Sequence, residues 1–315
     1  MSAPILVPLD GSAFAAQALA YARAVARRLD APLHLVSVYQ PMVITAAVPD
    51  APVYDQRFDD EQRAALDAQL RATVEAIMPT APGAVTHATI DADSVDLAIM
   101  TEADRVGAQL IVSTTHGRGG LQRAWLGSVA DRLVVTAAVP VLLVRPREAS
   151  EPGEGAGGER APVAESPEFR RVLIALDGSA LAEEVLRHVP PIAASGAEYC
   201  LLRVVPVPAT RNDPEQAYWT PLERDSIEAR RAEATQYLEQ TARPLLPAET
   251  TVTCRVVLSA SPASAILEAA RDWEADLVAI STHGRSGLAR LVAGSVADKV
   301  YRGSEVPTLV VRPHG

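Results

Sequence analysis

Residues 115–132 read THGRGGLQRAWLGSVADR, and residues 282–299 read THGRSGLARLVAGSVADK; 12 of these 18 positions are identical, at an offset of 167. The same offset relates Leu9-Asp10-Gly11-Ser12 to Leu176-Asp177-Gly178-Ser179, Val139-Pro140 to Val306-Pro307, and Val144-Arg145-Pro146 to Val311-Arg312-Pro313. Matches at the start, middle and end of each half mean that a whole domain is duplicated. The 315 residues therefore have to build one ordinary-sized domain twice.

Between the halves runs PREASEPGEGAGGERAPVAESPEF, rich in Gly, Pro, Ala and Glu and without apolar periodicity. Such a segment buries too little surface to offset its ordering entropy and reads as a flexible linker. The expected boundaries are 1–146 for the first domain, 147–168 for the linker and 169–315 for the second domain. From Glu148 to Glu168 the linker carries six glutamates and one arginine, a net −5 out of the chain's −10. The folded halves are thus only mildly acidic, and neither nucleic acid nor an anionic membrane is the expected main partner. Cys200 and Cys254 form no CxxC and no zinc pattern. The first apolar run is interrupted by Asp10, and the longest one, Leu133 to Val144, contains Pro140 and is too short to span a bilayer. These features predict a reduced, cytoplasmic chain. Lys299 is the sole lysine, so no lysine-bearing phosphate loop can be built.

Each half alternates apolar runs with helical patterns. In the first, PILVPL (4–9) predicts a buried strand, followed by a helix from Ser12 to Leu29, strand 33–39, a long loop, a helix over 59–78, strand 84–90, a helix from Ser94, strand 109–114, a Gly-rich loop, a helix from Ser128 and strand 139–145. The second half repeats this order, with its long helix at 222–243. Continuous apolar strands alternating with helices predict an α/β class: two doubly wound, five-stranded parallel-sheet domains.

In such sheets a ligand sits at the carboxyl ends of the strands, where the winding reverses. Asp10 and Asp177 each close a first strand. The loops after the fourth strands run from Thr114 to Ser128 and from Ser281 to Ser295. Gly117 and Gly284 suit a tight turn; Gly127-Ser128 and Gly294-Ser295 each open a helix, where free N–H groups and the helix dipole attract anions. Phosphate could be held there without lysine. The plainer alternative is a turn with an N-cap, and for Asp10 and Asp177 a carboxylate that only satisfies backbone N–H groups.

With these residues in view, each half resembles a universal stress protein domain, and the whole resembles a tandem universal stress protein over everything but the linker. The family's nucleotide-binding motif, Gly-x-x-Gly, nine residues, then Gly-Ser/Thr, is matched at Gly117 and Gly284 and at the two Gly-Ser pairs. Its first glycine falls on Thr114 and Ser281, where both copies depart. The resemblance implies a sheet order of 3-2-1-4-5 and ATP binding by both halves, with Mg²⁺ a candidate companion ion. It implies that Asp10 and Asp177 contact the adenosine part and that Val38 and Val204 lie against adenine. Pro8, Leu9, Ala175 and Leu176 at the first-strand ends, and Val129 and Val296 after the helix-opening serines, complete the binding set. The resemblance also implies pairing of the fifth strands about a pseudo-two-fold axis, which the two halves of one chain can satisfy, since a linker of this length spans roughly 25–30 Å. A homodimer of tandem units is compatible with this.

His116 and His283 match between halves but have no partner at metal-ligand spacing. Arg118 and Arg285 could approach phosphates or lie in solvent. No nucleophile–base pair or carboxylate dyad repeats, so the residues support binding over turnover, with weak ATP hydrolysis left open. The expected function is an ATP-binding regulator of the stress response. The alternative is an adaptor with vestigial pockets that acts through its surfaces.

Overall fold

The structure, a computed structural model, describes residues 2–41, 56–115, 127–145, 167–207, 221–282 and 295–313, with backbone only at 56, 221–223 and 295. The linker and both Gly-rich loops expected from the sequence lie outside the described residues. The chain divides into two compact units, the first built on Met1–Leu133 and the second on Val134–Arg145 together with Glu168–Gly315.

In the first unit, β1 (Ile5–Pro8) leads into α1 (Ala13–Ala16) and α2 (Ala18–Leu29). Then follow β2 (Leu33–Tyr39), α3 (Gln56–Ile77), β3 (Val85–Asp91), α4 (Val95–Val106) and β4 (Leu110–Thr114), and α5 (Ser128–Thr136) runs on into the second unit. The strands lie in the order β3-β2-β1-β4. All these pairings are parallel, with Pro8 opposite Val36, Val38 opposite Ile90, and Leu6 opposite Ile111. Ile5, Leu6 and Val7 are fully buried, as a strand covered on both faces requires. Burying each such side chain contributes roughly 1.5–3 kcal/mol, so these runs anchor the sheet.

The second unit contains β5 (Val141–Val144), β6 (Arg171–Leu176), α6 (Ala180–Glu183), α7 (Val185–Ile192), β7 (Glu198–Pro206), α8 (Pro221–Tyr237), β8 (Thr251–Ser259), α9 (Pro262–Asp272), β9 (Leu277–Ser281), α10 (Ser295–Gly303) and β10 (Thr308–Val311). Its strand order is β5-β10-β9-β6-β7-β8. The strands of the second repeat thus take the 3-2-1-4-5 winding, and those of the first repeat follow the same order. The fifth strands of the two repeats meet antiparallel, with Leu142 opposite Leu309. Two arginines fasten this seam: Arg145 Nη1 donates to the Ser304 carbonyl at 3.3 Å and Arg312 Nη1 to the Thr136 carbonyl at 3.0 Å. An apolar edge that would otherwise invite aggregation is paired internally.

Three elements differ from the sequence expectation. The helix expected from Ser12 to Leu29 tightens at Gln17, whose N–H bonds the Phe14 carbonyl three residues back, and so divides into α1 and α2. The helix expected over 222–243 changes at Leu238–Ala242 into a π-helical turn, directly after Tyr237. The fifth strand of the first repeat begins at Val141, one residue after Pro140, which has no N–H for a ladder.

Candidate functional site

In each unit the first and fourth strands are neighbours, which brings the two sequence-predicted features to one sheet mouth. Continuing the β1–β4 register past Leu6 and Ile111 sets Leu9 beside Thr114, and Asp10 follows at the end of β1. Gly127 N–H donates to the Thr115 carbonyl at 2.7 Å, and Asp131 N–H bonds the Gly127 carbonyl at 3.0 Å. The start of α5 is thereby pinned to the end of β4, next to Asp10's strand. Among the described residues a Cβ at Gly127 would meet only the Thr115 oxygen, at an ordinary 3.5 Å. The packing of the described residues therefore does not demand a glycine here. Ser128 is exposed and Val129 half-buried at the opening of the helix.

The loops after the first strands are built alike. Ser12 N–H donates to Asp10 Oδ1 at 2.9 Å, and the Ser12 hydroxyl caps α1 by accepting Ala15 N–H at 3.1 Å. In the second repeat Ser179 N–H and its hydroxyl both donate to Asp177 Oδ1, at 3.0 and 2.7 Å, and Ser179 caps α6 through Ala182 N–H at 3.1 Å. Gly11 and Gly178 take φ of +79° and +85°, a left-handed turn that excludes most side chains. One oxygen of each aspartate thus serves its own loop, an Asx turn of the kind the plainer reading expected.

The other sequence-predicted residues fall as follows. Pro8 ends β1, and Leu9 is buried, its N–H bonded to the Val36 carbonyl at 2.8 Å. Ala175 and Leu176 are buried at the end of β6, and the β6–β9 register sets Leu176 beside Ser281. Val38 and Val204 are half-buried near the ends of β2 and β7, and Val296 is half-buried in α10. Thr114 and Ser281 are both buried; the Ser281 hydroxyl donates to the Ala182 carbonyl at 3.3 Å. His116, Gly117, Arg118, His283, Gly284, Arg285 and Gly294 lie outside the described residues, as does the Ser295 side chain.

The sequence reading missed the residues that sit beneath the strand-end loops. In the first unit Ser37 donates to the Leu9 carbonyl at 2.8 Å and Gln69 Nε2 to the Gly11 carbonyl at 2.9 Å. Between them, on the α3 side of the sheet, lies a cleft of about 60 Å³ lined by Leu9, Ser12, Ser37, Gln69 and Thr73 among others. It has room for a few water molecules. Side chains alternate along a strand, so Val38 faces the opposite side of the sheet from Ser37 and from this cleft. In the second unit Arg203 stands at the place of Ser37, for Leu176 pairs with Arg203 as Leu9 follows Val36's partner Pro8. Arg203 is buried, and its Cζ lies 5.0 Å from the centre of the Tyr237 ring. A Cβ at Gly178 would sit 2.8 Å from Arg203 Cζ and 2.9 Å from both terminal nitrogens. The Tyr237 hydroxyl is buried, with the Glu183 carboxylate beside it. Burial first, and then the nearby Glu183 carboxylate, push its ionisation well above the usual phenol range. The visible signal was a lone arginine inside the apolar run CLLRVV.

Away from the mouths, His34 is buried in β2. Its Nδ1 is 2.7 Å from Thr86 Oγ1 and its Nε2 2.7 Å from Glu102 Oε1, while Arg105 grips Glu102 with two bonds of 2.6 Å. Burial pulls the His34 pKa down against the opposing pull of Glu102. Cys200 is buried and its thiol is pushed up to about 11 by burial, as expected of an inert core thiol. Among the described residues no group of three His, Cys, Asp or Glu is placed to hold a metal, and no helix is long and apolar enough to cross a membrane.

The sequence profile of the universal stress protein family matches residues 1–145 and 168–312. A universal stress protein of Mycolicibacterium smegmatis is 28% identical over 313 residues, covering 98% of this chain and 97% of that protein. One of Mycobacterium tuberculosis is 27% identical over 310 residues, covering 98% and 96%. Among solved structures, a universal stress protein from Archaeoglobus fulgidus aligns with a TM-score of 0.62 at 18% identity, covering 99% of this chain and 97% of that one. A Pseudomonas aeruginosa protein of unknown function aligns at 0.65 and 20%, covering 99% and 93%. These likenesses establish the fold.

Proposed function

The chain belongs to the universal stress protein family, and from that premise we propose that it is a cytoplasmic regulator of the stress response that binds ATP at the mouths of its two repeats and does not turn it over. The observation that carries this reading is the first-unit mouth. There Asp10 ends one strand, and the neighbouring strand holds the start of α5 by the 2.7 Å bond from Gly127 to Thr115. A helix start with an exposed serine offers N–H and hydroxyl donors to a polyanion, and a glycine that the packing of the described residues does not require leaves the backbone open to close approach. Asp10 and Asp177 would accept from the ribose side, each keeping one oxygen on its own loop. Mg²⁺ would arrive on the phosphates and keep most of its waters, the usual habit of that ion where few carboxylates converge. No nucleophile–base pair or carboxylate dyad repeats in the sequence of the two halves, which favours a bound-nucleotide signal over hydrolysis.

The test is isothermal titration of the full chain with ATP, on protein shown by circular dichroism to be folded, together with the Asp10→Ala, Asp177→Ala double variant. Binding in the micromolar to near-millimolar range that the double variant loses is the expected result; no heat at near-millimolar ATP overturns the reading.

A second reading, an adaptor with vestigial pockets, is favoured by the burial of Thr114 and Ser281 at the family's first glycine. The Ser281 hydroxyl is directed to the Ala182 carbonyl, so it offers no donor to a phosphate. Nucleotide released on denaturing freshly purified protein would eliminate this second reading.

A further inference from the structure

The two strand-end loops share their sequence, their glycine and their Asx turn, yet rest on different supports. Beneath Asp177-Gly178-Ser179 the flat guanidinium of Arg203 occupies the place where a Gly178 side chain would be, and the Tyr237 ring backs it at 5.0 Å. Beneath Asp10-Gly11-Ser12 the described residues place a neutral serine, a bond from Gln69 to the Gly11 carbonyl, and a cleft of about 60 Å³. The polar groups lining that cleft already have work: Ser12 caps α1, Ser37 bonds Leu9, Gln69 bonds Gly11, and the Thr73 hydroxyl bonds the Gln69 carbonyl at 2.9 Å. The cleft therefore leaves open space beside the loop, and the donors that line it are already used within the protein. A close-packed support transmits strain and holds one geometry, whereas a void on one side of a loop lets it shift.

We propose that Arg203 is a positioning residue that locks the second strand-end loop in its ligand-ready form, that the first loop is ordered by the ligand instead, and that the two repeats therefore bind the same nucleotide with unequal affinity, the second more tightly. The affinity half of this rests on the ATP-binding reading above. A loop already fixed in its bound form does not lose freedom on binding, and fixing one loop changes affinity by on the order of tenfold.

Two measurements on the full chain test it. The first needs no nucleotide: amide hydrogen exchange of Ser12 and Ser179, whose N–H groups make equivalent bonds to Asp10 and Asp177. Ser179 is expected to exchange at least tenfold more slowly, and Arg203→Ser is expected to bring it to the rate of Ser12. Equal rates in the wild type overturn the proposal whatever ATP does. The second is ATP titration of the wild type, Arg203→Ser and Tyr237→Leu, the last removing the ring behind the guanidinium while keeping its charge. Two affinity classes about tenfold apart are expected. Either variant should weaken the tighter class alone and leave the weaker class, which Asp10→Ala abolishes, unchanged. A merely structural role would lower both classes or neither. One affinity class in the wild type, or a variant effect on both classes, refutes the inference. Unequal exchange with no ATP heat at either mouth refutes the function reading and the affinity half with it, and leaves the loop lock standing.

Discussion

Replacing Gly178 by alanine probes the support under the second loop directly. Two costs combine. The backbone at φ +85° is in the left-handed region, where an L side chain costs roughly 1–2 kcal/mol. The new Cβ would also lie 2.8–2.9 Å from three atoms of a buried guanidinium; forcing an extra carbon into packed space costs roughly 1–3 kcal/mol. Gly178→Ala should therefore destabilise the second unit by roughly 2–5 kcal/mol. Arg203→Ser removes the atoms in the way, so the two changes should not add. The double variant should be more stable than the sum of the singles predicts by about 1–3 kcal/mol, the range of coupling between residues in contact. The assay is urea unfolding followed by the fluorescence of Trp273, in a background where Trp125 and Trp219 are phenylalanine. Trp273 reports on the right unit because its ring packs under Arg171, 4.9 Å from the guanidinium. An additive cycle would refute the packing of Arg203 on Gly178, and with it the reason for giving the two loops different stiffness.

Other outcomes follow from features of single repeats. Asp30 and Glu274 hold left-handed turns at φ +48° and +50°, where the matching places of the other repeat carry Gly196 and Gly107; Asp30→Gly and Glu274→Gly should each stabilise by about 0.5–1 kcal/mol in urea melts. The loss of Glu274's bond to Arg171 should barely register, since that carboxylate is 82% exposed. His34, depressed by burial, binds fewer protons folded than unfolded, so the first unit should lose stability as pH falls below about 6.5. The groups around it, Glu102, Arg105 and His87, set that response; urea midpoints that stay level from pH 7.5 to 5.5 would contradict it. The Cys200 thiol, raised to about 11, should resist a thiol reagent at pH 8 until the protein is unfolded, and rapid labelling of the native chain at Cys200 would show that the strand is open.

The architecture was largely legible because it rests on local signals repeated twice. Apolar runs such as LIVST and DLVAIS can only be strands covered on both faces, and Ser12 and Ser179 announce helix starts that the structure caps through their hydroxyls. The neighbouring of first and fourth strands came from the family resemblance, which implies the 3-2-1-4-5 order, and the strand pairings agree with it. Arg203 was not legible as a support, because its partners come from elsewhere in the chain: Gly178 from the preceding loop and Tyr237 from a helix beyond the next loop. A charge inside an apolar strand has several ordinary explanations, and only tertiary packing selects among them. The same holds for His34, whose partner Glu102 comes from α4, far along the chain.

The meeting of β5 with β10 has a practical bearing on how the protein can be taken apart. The acidic stretch between the repeats looks like the natural place to cut, but a fragment starting at Glu168 would lack Val141–Val144 and bare the apolar TLVV rung of β10, together with the Arg312 anchor that closes on Thr136. Such a fragment should clump or dimerise through that rung. Supplying a peptide covering residues 134–145 in trans should restore a well-behaved monomer, so the separable piece has its true border upstream of the linker, inside the last helix of the first repeat.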